Sequence, residues 1–367
     1  MAGSIFGNHF QISTWGESHG TALGVVVDGC PAGLPLCEED IQVCLDRRKP
    51  GQSAYTTKRQ ESDRVQILSG IFEGKTTGTP IAMTVMNESH RSADYSEIAG
   101  YYRPGHADYT FDAKYGFRDY RGGGRSSGRE TIARVAAGAV AIKLLHTLGV
   151  DIFAYTAAIG GRAADPQRFS REEIRNNPLC MPDAECARQT ADYLKEVMAE
   201  KDSAGGIVEC IVKNLPAGVG NPVFDKLDAC LAHAVFSIGA VKGFEIGDGF
   251  EAAKAMGSFN NDAFAARADG SVIKRTNHAG GILGGISDGS DLILRAAFKP
   301  TPSIARPQPT VSKDGREITV EIKGRHDPII VPRAVVVVEA MTALTIADLM
   351  LEGMGSRLED FQAVWKR

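Results

Sequence analysis

Gly116-Phe-Arg-Asp-Tyr-Arg-Gly-Gly-Gly-Arg-Ser-Ser-Gly-Arg-Glu-Thr131 leads directly into an apolar stretch, Ile132 to Leu148. The quoted segment contains four arginines and five glycines. Arginine binds phosphate and carboxylate through paired hydrogen bonds, and glycine lets the backbone approach a ligand closely. Ser126 and Ser127 precede the apolar stretch, where a helix N-terminus offers free N–H groups. A solvated loop remains an alternative, but the pattern favours an anion site in front of a helix.

The apolar stretch predicts a helix over Glu130–Leu148 that is buried on nearly all sides. Alanine, valine and isoleucine occupy most positions from Ala133 to Ile142. Such a helix has no continuous polar face to present to solvent. We therefore expect it to lie between two layers, at the centre of the fold.

Strand and helix patterns alternate along the rest of the chain, which predicts an α+β or α/β fold. β-Branched residues between glycine, proline and aspartate predict strands at Leu23–Asp28, Arg64–Leu68, Ile81–Met86, Val150–Tyr155, Gly206–Val212, Leu292–Phe298 and Glu317–Ile322. Further helices are predicted at Glu38–Arg47, Ala184–Lys201, Pro222–Ala234 and Ala334–Leu351. The polar segment 160–182, which is interrupted by prolines, is predicted to be a mobile loop excursion.

Charge and composition argue against several classes of function. The net charge of −4 over 367 residues gives no overall field that would attract nucleic acid or an anionic membrane. The stretch Ala334–Leu351 is interrupted by Glu339 and Asp348, and no basic-then-apolar leader is visible, so we expect a cytoplasmic protein. The seven cysteines contain no pair at the spacing of a zinc ribbon. We therefore predict reduced thiols and no metal site.

Histidine exchanges a proton near neutral pH, and several of the eight histidines lie in turn-like segments. His19 lies in Gly16-Glu-Ser-His-Gly20, and His106 lies in Arg103-Pro-Gly-His-Ala-Asp108. A third segment, Arg325-His-Asp-Pro328, places a histidine beside an aspartate and an arginine. Spacing alone leaves each one open as a structural histidine in a turn or as a catalytic group.

Three more segments suit anions or flat polar rings. Arg47-Arg-Lys-Pro-Gly51 ends a predicted helix with three cations, which can also simply complement the helix C-terminus. Lys299-Pro-Thr-Pro-Ser303 carries a lysine and two hydroxyls on a stiff proline frame, and Asn277–Gly285 is rich in glycine. Because these segments lie far apart in the chain, a shared site requires residues 1–367 to fold as a single domain.

Two common phosphate-binding loops do not fit the spacing. Gly70-Ile-Phe-Glu-Gly-Lys-Thr76 has three residues between its glycines, where a P-loop needs four. The glycines at 122–128 do not form a dinucleotide-binding pattern, because position 127 is serine and no apolar strand precedes them.

Taken together, the segments resemble the chorismate synthase family. Its three signatures match Gly16-Glu-Ser-His-Gly20, the arginine-rich segment 116–131 and Arg325-His-Asp-Pro328. The order and spacing of further segments also fit, so that the resemblance covers nearly the whole chain: Arg47–Gly51, Arg103–Asp108, Ala240–Gly249, Asn277–Gly285 and Lys299–Ser303. The resemblance implies an α+β fold, a single-domain β-α-β sandwich with internal pseudo-symmetry, in a homotetramer.

The family's reaction is the last step of the shikimate pathway. The resemblance implies that 5-enolpyruvylshikimate 3-phosphate loses phosphate and a C6 hydrogen by anti-1,4-elimination, which gives chorismate. Reduced FMN is required without net oxidation, and because no reductase domain is visible, an external reductant or a separate flavin reductase should supply it. The substrate has two carboxylates and a phosphate of about −2 charge, which explains a site with many cations.

The matched motifs imply a role for each site residue. His106 would protonate the departing phosphate, His19 would hold a proton near the N1–C2 edge of reduced flavin, and Asp327 would assist removal of the C6 proton through flavin N5. The implied substrate-binding residues are Arg48, Arg121, Arg129 and Arg325. The implied FMN-binding residues are Arg125, Ser126, Ser127, Gly239, Ala240, Gly284, Lys299, Pro300, Thr301, Pro302, Ser303 and again Arg325.

One position departs from the family pattern. Many relatives have an arginine before Tyr-Thr-Thr, whereas this chain has Ala54. Direct use of NADPH therefore stays open. Two other functions also remain: a phosphate-eliminating or phosphate-transferring enzyme that works without flavin, and a polyanion- or RNA-binding module. The negative net charge and the lack of an aromatic stacking cluster argue against the module.

Overall fold

Strands and helices are mixed throughout a computed structural model that describes residues 3–56, 61–88, 98–322 and 327–366. The strands are β1 (Ile5–Phe6), β2 (Gln11–Gly16), β3 (Ala22–Asp28), β4 (Val65–Ile67), β5 (Ile71–Phe72), β6 (Lys75–Thr76), β7 (Ile81–Met86), β8 (Asp151–Ile159), β9 (Arg162–Ala163), β10 (Gly206–Lys213), β11 (Val241–Ile246), β12 (Phe264–Ala266), β13 (Val272–Lys274), β14 (Ile282–Leu283), β15 (Ile286–Ser287), β16 (Leu292–Phe298), β17 (Gln308–Val311) and β18 (Glu317–Val320). The helices are α1 (Glu38–Arg48), α2 (Asp108–Tyr115), α3 (Thr131–His146), α4 (Glu173–Asn176), α5 (Ala184–Ala199), α6 (Leu227–Phe236), α7 (Gly257–Asn260), α8 (Val331–Glu352) and α9 (Leu358–Trp365).

Two antiparallel sheets of five strands each are the main β-structure of the described residues. The first has the strand order β1-β2-β3-β7-β4, and the second has the order β11-β16-β10-β8-β9. The first sheet and α3 come from residues up to 146, whereas the second sheet and α8 come from residues 151–352. Each half of the chain thus builds one sheet and ends in one long apolar helix. This arrangement agrees with the internal pseudo-symmetry that the family resemblance implies.

Helices α3 and α8 lie between the two sheets. Helix α3 packs on β3, α8 packs on β8 and β10, and the two helices pack on each other. Helix α1 contacts both of them, and α6 contacts α8 and β11. Because α3 has neighbours on both sides, most of its residues are buried, which explains why its sequence is apolar nearly all round. The predicted sandwich and the central position of this helix are confirmed.

The two central helices approach closely at Gly138. A Cβ atom built on Gly138 would lie 2.3 Å from the Cβ of Ala340 and 2.6 Å from its Cα. Such distances leave room only for hydrogen, so the helix spacing here depends on glycine in α3 and alanine in α8.

Two carboxylates inside α8 hold other elements in place. Glu339 accepts hydrogen bonds from Arg47 Nη1 and Nη2 at 2.6 and 2.8 Å and from the backbone N–H of Ala154 at 2.8 Å. Asp348 accepts the backbone N–H groups of residues 8–10 at 2.6 to 3.0 Å. By length and composition α8 could cross a membrane, but most of its most apolar window is buried inside the protein. It is a core helix.

Most predicted elements occur within a few residues of their expected bounds. Helix α6 is an exception, because it begins at Leu227 rather than Pro222. Lys226 has an extended backbone, and the N–H of Leu227 donates to the carbonyl of Gly285 at 2.8 Å, so the helix starts there. Strand β8 runs to Ile159, four residues beyond the prediction. Of the described strands and α-helices with six or more residues, β2, β11, α2 and α9 were not predicted.

Two irregular segments also have defined structure. Gly70–Thr76 forms the β5–β6 hairpin, which differs from the strand-to-helix turn of a P-loop. Segment 160–182 contains β9 and α4 and buries Ile174, Leu179 and Met181. Its mobility stays a prediction.

Replacing Gly138 by alanine is expected to destabilise the protein by about 2 kcal/mol or more, because the added methyl group forces α3 and α8 apart. Unfolding in urea at matched protein concentration measures this change. Gly257→Ala is the control, since Gly257 is also helical and a Cβ there meets no atom within 4 Å. Equal stability of the two variants would contradict the close helix contact.

Candidate active site

The arginine-rich segment is an ordered loop that ends at the central helix. It forms two short 3-10 turns, Gly124–Ser126 and Gly128–Glu130, before α3 begins at Thr131. Ser127 Oγ accepts the backbone N–H of Arg129 at 3.3 Å, and Thr131 Oγ donates to the carbonyl of Gly128 at 2.6 Å. Hydrogen bonds within the segment therefore fix its backbone directly in front of a buried helix, as the sequence predicted.

The loop packs directly against His19. A Cβ atom built on Gly122 would lie 2.6 Å from His19 Nδ1 and 3.0 Å from Ser18 Oγ, and Gly122 has a φ of +150°. Only glycine fits this contact without displacing the histidine. Ser18 Oγ lies 3.1 Å from His19 Nδ1, so a hydroxyl contacts the ring on the same nitrogen. His19 and the arginine-rich loop thus belong to one site.

The same glycine connects the loop to the turn that carries His106. Arg103 Nη2 donates to the carbonyl of Gly122 at 3.3 Å and lies 3.1 Å from His106 Nδ1. Arg103 Nε and Nη2 also donate to the two oxygens of Asp108, each at 2.7 Å. His106 Nδ1 lies 3.0 Å from Asp108 Oδ1. His106 is therefore held in a buried charge cluster beside the loop.

Lys299–Ser303 joins the site on the other side of the His106 turn. Lys299 Nζ donates to the carbonyl of Gly105 at 2.7 Å, and a Cβ on Gly105 would lie 3.1 Å from Pro302 Cβ. The backbone N–H of Lys299 donates to the carbonyl of Ala240 at 2.9 Å. Ala240 has a φ of +72°, which is unusual for a residue with a side chain. Burial, and then the nearby charge of Lys242, lower the pKa of Lys299.

A buried pair of arginines lies on the opposite flank of the loop. Arg48 is 1% exposed, and its Nη2 lies 2.5 Å from Asp63 Oδ2; Arg129 Nη1 lies 2.9 Å from Asp63 Oδ1. Arg129 Nε also donates to Asn87 Oδ1, and its Nη2 lies 3.5 Å from Glu61 Oε2. One carboxylate therefore bridges two of the predicted substrate-binding arginines.

Electrostatics within this pair are strong because water is excluded. Burial lowers the pKa of Arg48 to about 10, against the attraction of Asp63. Burial alone would raise the pKa of Asp63, but the charges of Arg48 and Arg129 outweigh it and lower that pKa. Asp63 has a φ of +47°, so its backbone is strained to place this carboxylate.

The other three arginines of the loop have different environments. Arg125 donates to the carbonyl of Gly16 at 2.9 Å and to Thr14 Oγ at 2.6 Å, which anchors the loop to β2. Arg121 is about half exposed and pairs with Asp119 at 2.6 Å. Arg118 pairs with Asp112 at 2.5 Å and donates to the carbonyls of Ile98 and Tyr101 at 3.0 Å, so it braces the backbone.

Asp327 is linked to the same cluster through Arg333. Arg333 Nη1 lies 2.5 Å from Asp327 Oδ2, and its Nε donates to the carbonyl of Arg48 at 3.1 Å. The side chain of Arg333 thus lies between Asp327 and Arg48 and contacts both residues. Arg325, which the family resemblance assigned to both substrate and FMN, lies outside the described residues.

Gly284 is a predicted FMN-binding residue, and its role stays a prediction. It lies at the turn of the β14–β15 hairpin, where Gly281 packs on Leu292 at the start of β16. Lys299 follows the end of β16, a strand of seven residues that spans roughly 20 Å. The hairpin adjoins Lys226, which lines a cavity of about 410 Å³ between α6 and β11.

Gly239 directly precedes Ala240, and a Cβ at position 239 would meet no atom within 4 Å.

Several buried polar atoms at the site lack hydrogen-bond partners among the described residues. They include Thr301 Oγ and Arg48 Nε, whereas Arg129 Nη2 has no hydrogen bond but forms an ion pair with Glu61. Buried polar groups are normally satisfied, so an orphaned hydroxyl or guanidinium N–H suits a polar ligand. Thr301 lies in the segment assigned to FMN, beside the cation of Lys299. The hydroxyl of Thr301 and the cation of Lys299 therefore fit a polar, anionic cofactor.

Some residues of the site were not predicted from sequence. The buried arginines form ion pairs with Asp63 and Glu61 and a hydrogen bond with Asn87. Arg333 links Asp327 to these arginines. A lone carboxylate before a strand carries no local signal of such a role. Arg103 and Asp108 flank His106 in the segment that the sequence analysis quoted, so proximity in the chain could have identified them.

Comparisons with known proteins agree with the family resemblance. A model of the family described as chorismate synthase matches residues 10–351. Curated proteins named chorismate synthase from Lachnoclostridium phytofermentans and Lachnospira eligens are 65% and 64% identical, each over the whole of both chains. A solved structure titled chorismate synthase is 32% identical, covers 98% of this chain and 97% of its own, and has a TM-score of 0.76.

Replacing Asp63 by asparagine is expected to destabilise the protein by about 3–5 kcal/mol, because two buried guanidinium groups lose their shared counter-charge. Asparagine tolerates the left-handed backbone at this position, so the change isolates the charge. Urea unfolding at pH 7 measures the loss. Asp46→Asn is the control, since Asp46 pairs with Lys49 at the surface and should cost under about 1 kcal/mol.

The pH dependence gives a second measure of the same interaction. Because the pKa of Asp63 is lowered in the folded state, its carboxylate contributes stability at pH values above the unfolded-state pKa of about 3.9. This contribution is lost as the pH falls through the lower, folded-state pKa. The difference in the free energy of unfolding between wild type and Asp63→Asn should therefore be constant near neutrality and become smaller below about pH 4. A difference that is absent at pH 7 would contradict the bridging role.

Proposed function

Because the chain belongs to the chorismate synthase family, we propose that it eliminates phosphate from 5-enolpyruvylshikimate 3-phosphate by anti-1,4-elimination to give chorismate, the last step of the shikimate pathway. The family match spans residues 10–351. The observation that carries the mechanism is that Gly122 of the arginine-rich loop contacts His19 and also accepts a hydrogen bond from Arg103, in the turn that carries His106. Lys299 donates to Gly105 of the same turn. These segments are far apart in sequence, and the reaction needs their chemistry in one place.

Arginine side chains bind the substrate in this proposal. Its two carboxylates and its phosphate, of about −2 charge, require several fixed cations in a buried site. Arg48 Nε is a buried N–H donor without a hydrogen-bond partner in the described chain, which supports this assignment. Arg121 is half exposed and pairs with Asp119, so exchange of Asp119 for a substrate anion costs little.

Two histidines move or hold protons. His106 donates a proton to the departing phosphate, which converts a poor leaving group into a better one. His19 holds a proton near the reduced cofactor, and Ser18 contacts its Nδ1. Asp327 assists removal of the C6 proton, with Arg333 fixing its carboxylate. The departing phosphate and the removed proton are therefore handled by different residues.

The chain's own residues would hold reduced FMN through Arg125, Ser126, Ser127, Ala240 and Lys299–Ser303. The orphaned hydroxyl of Thr301 and the cation of Lys299 support this part of the proposal. When bound, reduced FMN supplies electron density that eases the departure of phosphate from the allylic carbon, without net oxidation. We assign Gly284 and Arg325 to the same cofactor by resemblance alone.

The surroundings of the enzyme follow the same family reasoning. We propose a homotetramer in the cytoplasm that receives reduced FMN from an external reductant or a separate flavin reductase.

Purified protein, kept anaerobic and given chemically reduced FMN, is expected to release phosphate from 5-enolpyruvylshikimate 3-phosphate and form chorismate in equal amounts. Phosphate release and chorismate absorbance measure the two products. The same mixture with oxidised FMN and no reductant is the control and should show no turnover. Equal phosphate release in both mixtures would indicate a flavin-independent enzyme and contradict the proposal.

Replacing His106 by asparagine is expected to lower kcat by about 10²- to 10⁴-fold with little change in KM, because general-acid catalysis is lost while the anion-binding arginines remain. Steady-state kinetics with reduced FMN measure both constants. His146→Asn is the matched control, since His146 is exposed at the end of α3. An unchanged kcat in the His106 variant would remove the acid assignment.

A further inference from the structure

Asp108 is a buried carboxylate that contacts both His106 and Arg103. It is 2% exposed and is the first residue of α2. Its Oδ2 accepts the Nε–H of Arg103 at 2.7 Å and the backbone N–H of Arg103 at 3.1 Å. Its Oδ1 accepts Arg103 Nη2 at 2.7 Å and lies 3.0 Å from His106 Nδ1. The carboxylate is therefore fixed by an arginine and aimed at one nitrogen of the imidazole.

The donors and acceptors in this cluster determine where the histidine proton lies. Arg103 Nη2 has two hydrogens, and two oxygens accept from it, Asp108 Oδ1 and the carbonyl of Gly122. A guanidinium only donates, so it cannot accept a hydrogen from His106. Asp108 Oδ1 is then the acceptor available to an N–H on Nδ1. This arrangement favours the tautomer with the proton on Nδ1 and leaves Nε2 for exchange.

The surrounding charges keep Asp108 ionised. Arg103 and Arg118 both face it, with Arg118 Nε 3.6 Å from Oδ1, and Asp112 in turn balances Arg118. Lys299 adds a positive charge at the neighbouring carbonyl of Gly105. Burial alone would raise the pKa of Asp108, but hydrogen bonds from Arg103 and His106 outweigh it and hold that pKa well below its usual range.

We propose that Asp108 is a positioning residue that holds the Nδ1–H of His106, so that Nε2 is the atom that gives its proton to the departing phosphate. The proposal rests on the acid role of His106 stated above. In the step itself the Nε2–H bond breaks and an O–H bond forms on the phosphate. His106 changes from imidazolium to the neutral ring, while its other proton stays on Nδ1 and is still donated to Asp108 Oδ1. Asp108 acts through His106 and need not touch the substrate.

Asp108→Asn reverses the hydrogen bond at Nδ1 while keeping the size of the side chain. An amide oxygen at the Oδ2 position can still accept the Nε–H and the backbone N–H of Arg103. The amide NH₂ group then takes the Oδ1 position, where it loses the hydrogen bond from Arg103 Nη2 and points at His106 Nδ1. Nδ1 must become an acceptor, which moves the proton of the neutral ring to Nε2. The matched control is Asp112→Asn, which alters a carboxylate one turn further along α2 that pairs with Arg118 and Lys313.

Kinetics with reduced FMN test the consequence for catalysis. Asp108→Asn should lower kcat by about 10²- to 10⁴-fold and leave KM within a few-fold, since only proton transfer is impaired. Asp112→Asn should keep both constants within a few-fold of wild type. Equal losses in the two variants, or an unchanged kcat in Asp108→Asn, would overturn the proposal.

The tautomer itself is measured without relying on turnover. Solid-state ¹⁵N spectra of histidine-labelled protein, with the His106 signals assigned by their absence in His106→Asn, report which ring nitrogen carries the proton. We expect Nδ1–H in the wild-type neutral ring and Nε2–H in Asp108→Asn. A wild-type Nε2–H tautomer would overturn the proposal even if both variants fold poorly. If wild type shows Nδ1–H but does not form chorismate, the proposed function fails while the positioning geometry stands.

Discussion

The burial of two arginines around one carboxylate is the interaction on which the rest of the site depends. Arg48 comes from the end of α1, Arg129 from the loop before α3, and Asp63 from the segment before β4. A buried guanidinium is costly unless it is paired, so the fold is constrained to keep these three segments together. Arg333, at the start of α8, donates to the carbonyl of Arg48 and extends the cluster to Asp327. The ionic contact thus joins three segments of the first half of the chain, and the hydrogen bond from Arg333 connects them to the second half.

The arginine-rich loop connects this buried cluster to the segments that carry the catalytic residues. Its C-terminal end is held by Arg129 and by the start of α3, and its middle is anchored to β2 by Arg125. Gly122 lies between Arg118 and Arg125 in the chain, and both of these arginines fix the backbone. It packs on His19 and accepts a hydrogen bond from Arg103. The position of the histidines therefore follows from a backbone that is fixed on both sides. Only glycine at position 122 lets the backbone of the loop lie this close to His19.

Local patterns in the sequence were sufficient for the core of the fold and for part of the site. The run of small apolar residues in α3 indicated a helix between layers, and the four arginines before it indicated an anion site. Strand β11 was missed because Gly243 weakens its β-pattern, and α2 was missed because its short helix has little apolar periodicity. Asp63 could not be identified from sequence, because its role exists only once α1 and the loop meet it. Gly284 lies on the hairpin near the start of β16, whereas Lys299 follows the end of that strand, so its place in the FMN site stays a prediction from the family motif.

The central claim is that segments distant in sequence form one cationic site that holds the flavin against the substrate. A crystal structure of the protein with FMN and 5-enolpyruvylshikimate 3-phosphate measures this directly. The account predicts both ligands in contact with the arginine-rich loop, His106 and Lys299–Ser303. Ligands bound elsewhere, for example in the cavity lined by Lys226 and Phe250, with His19 and His106 touching neither, would contradict it.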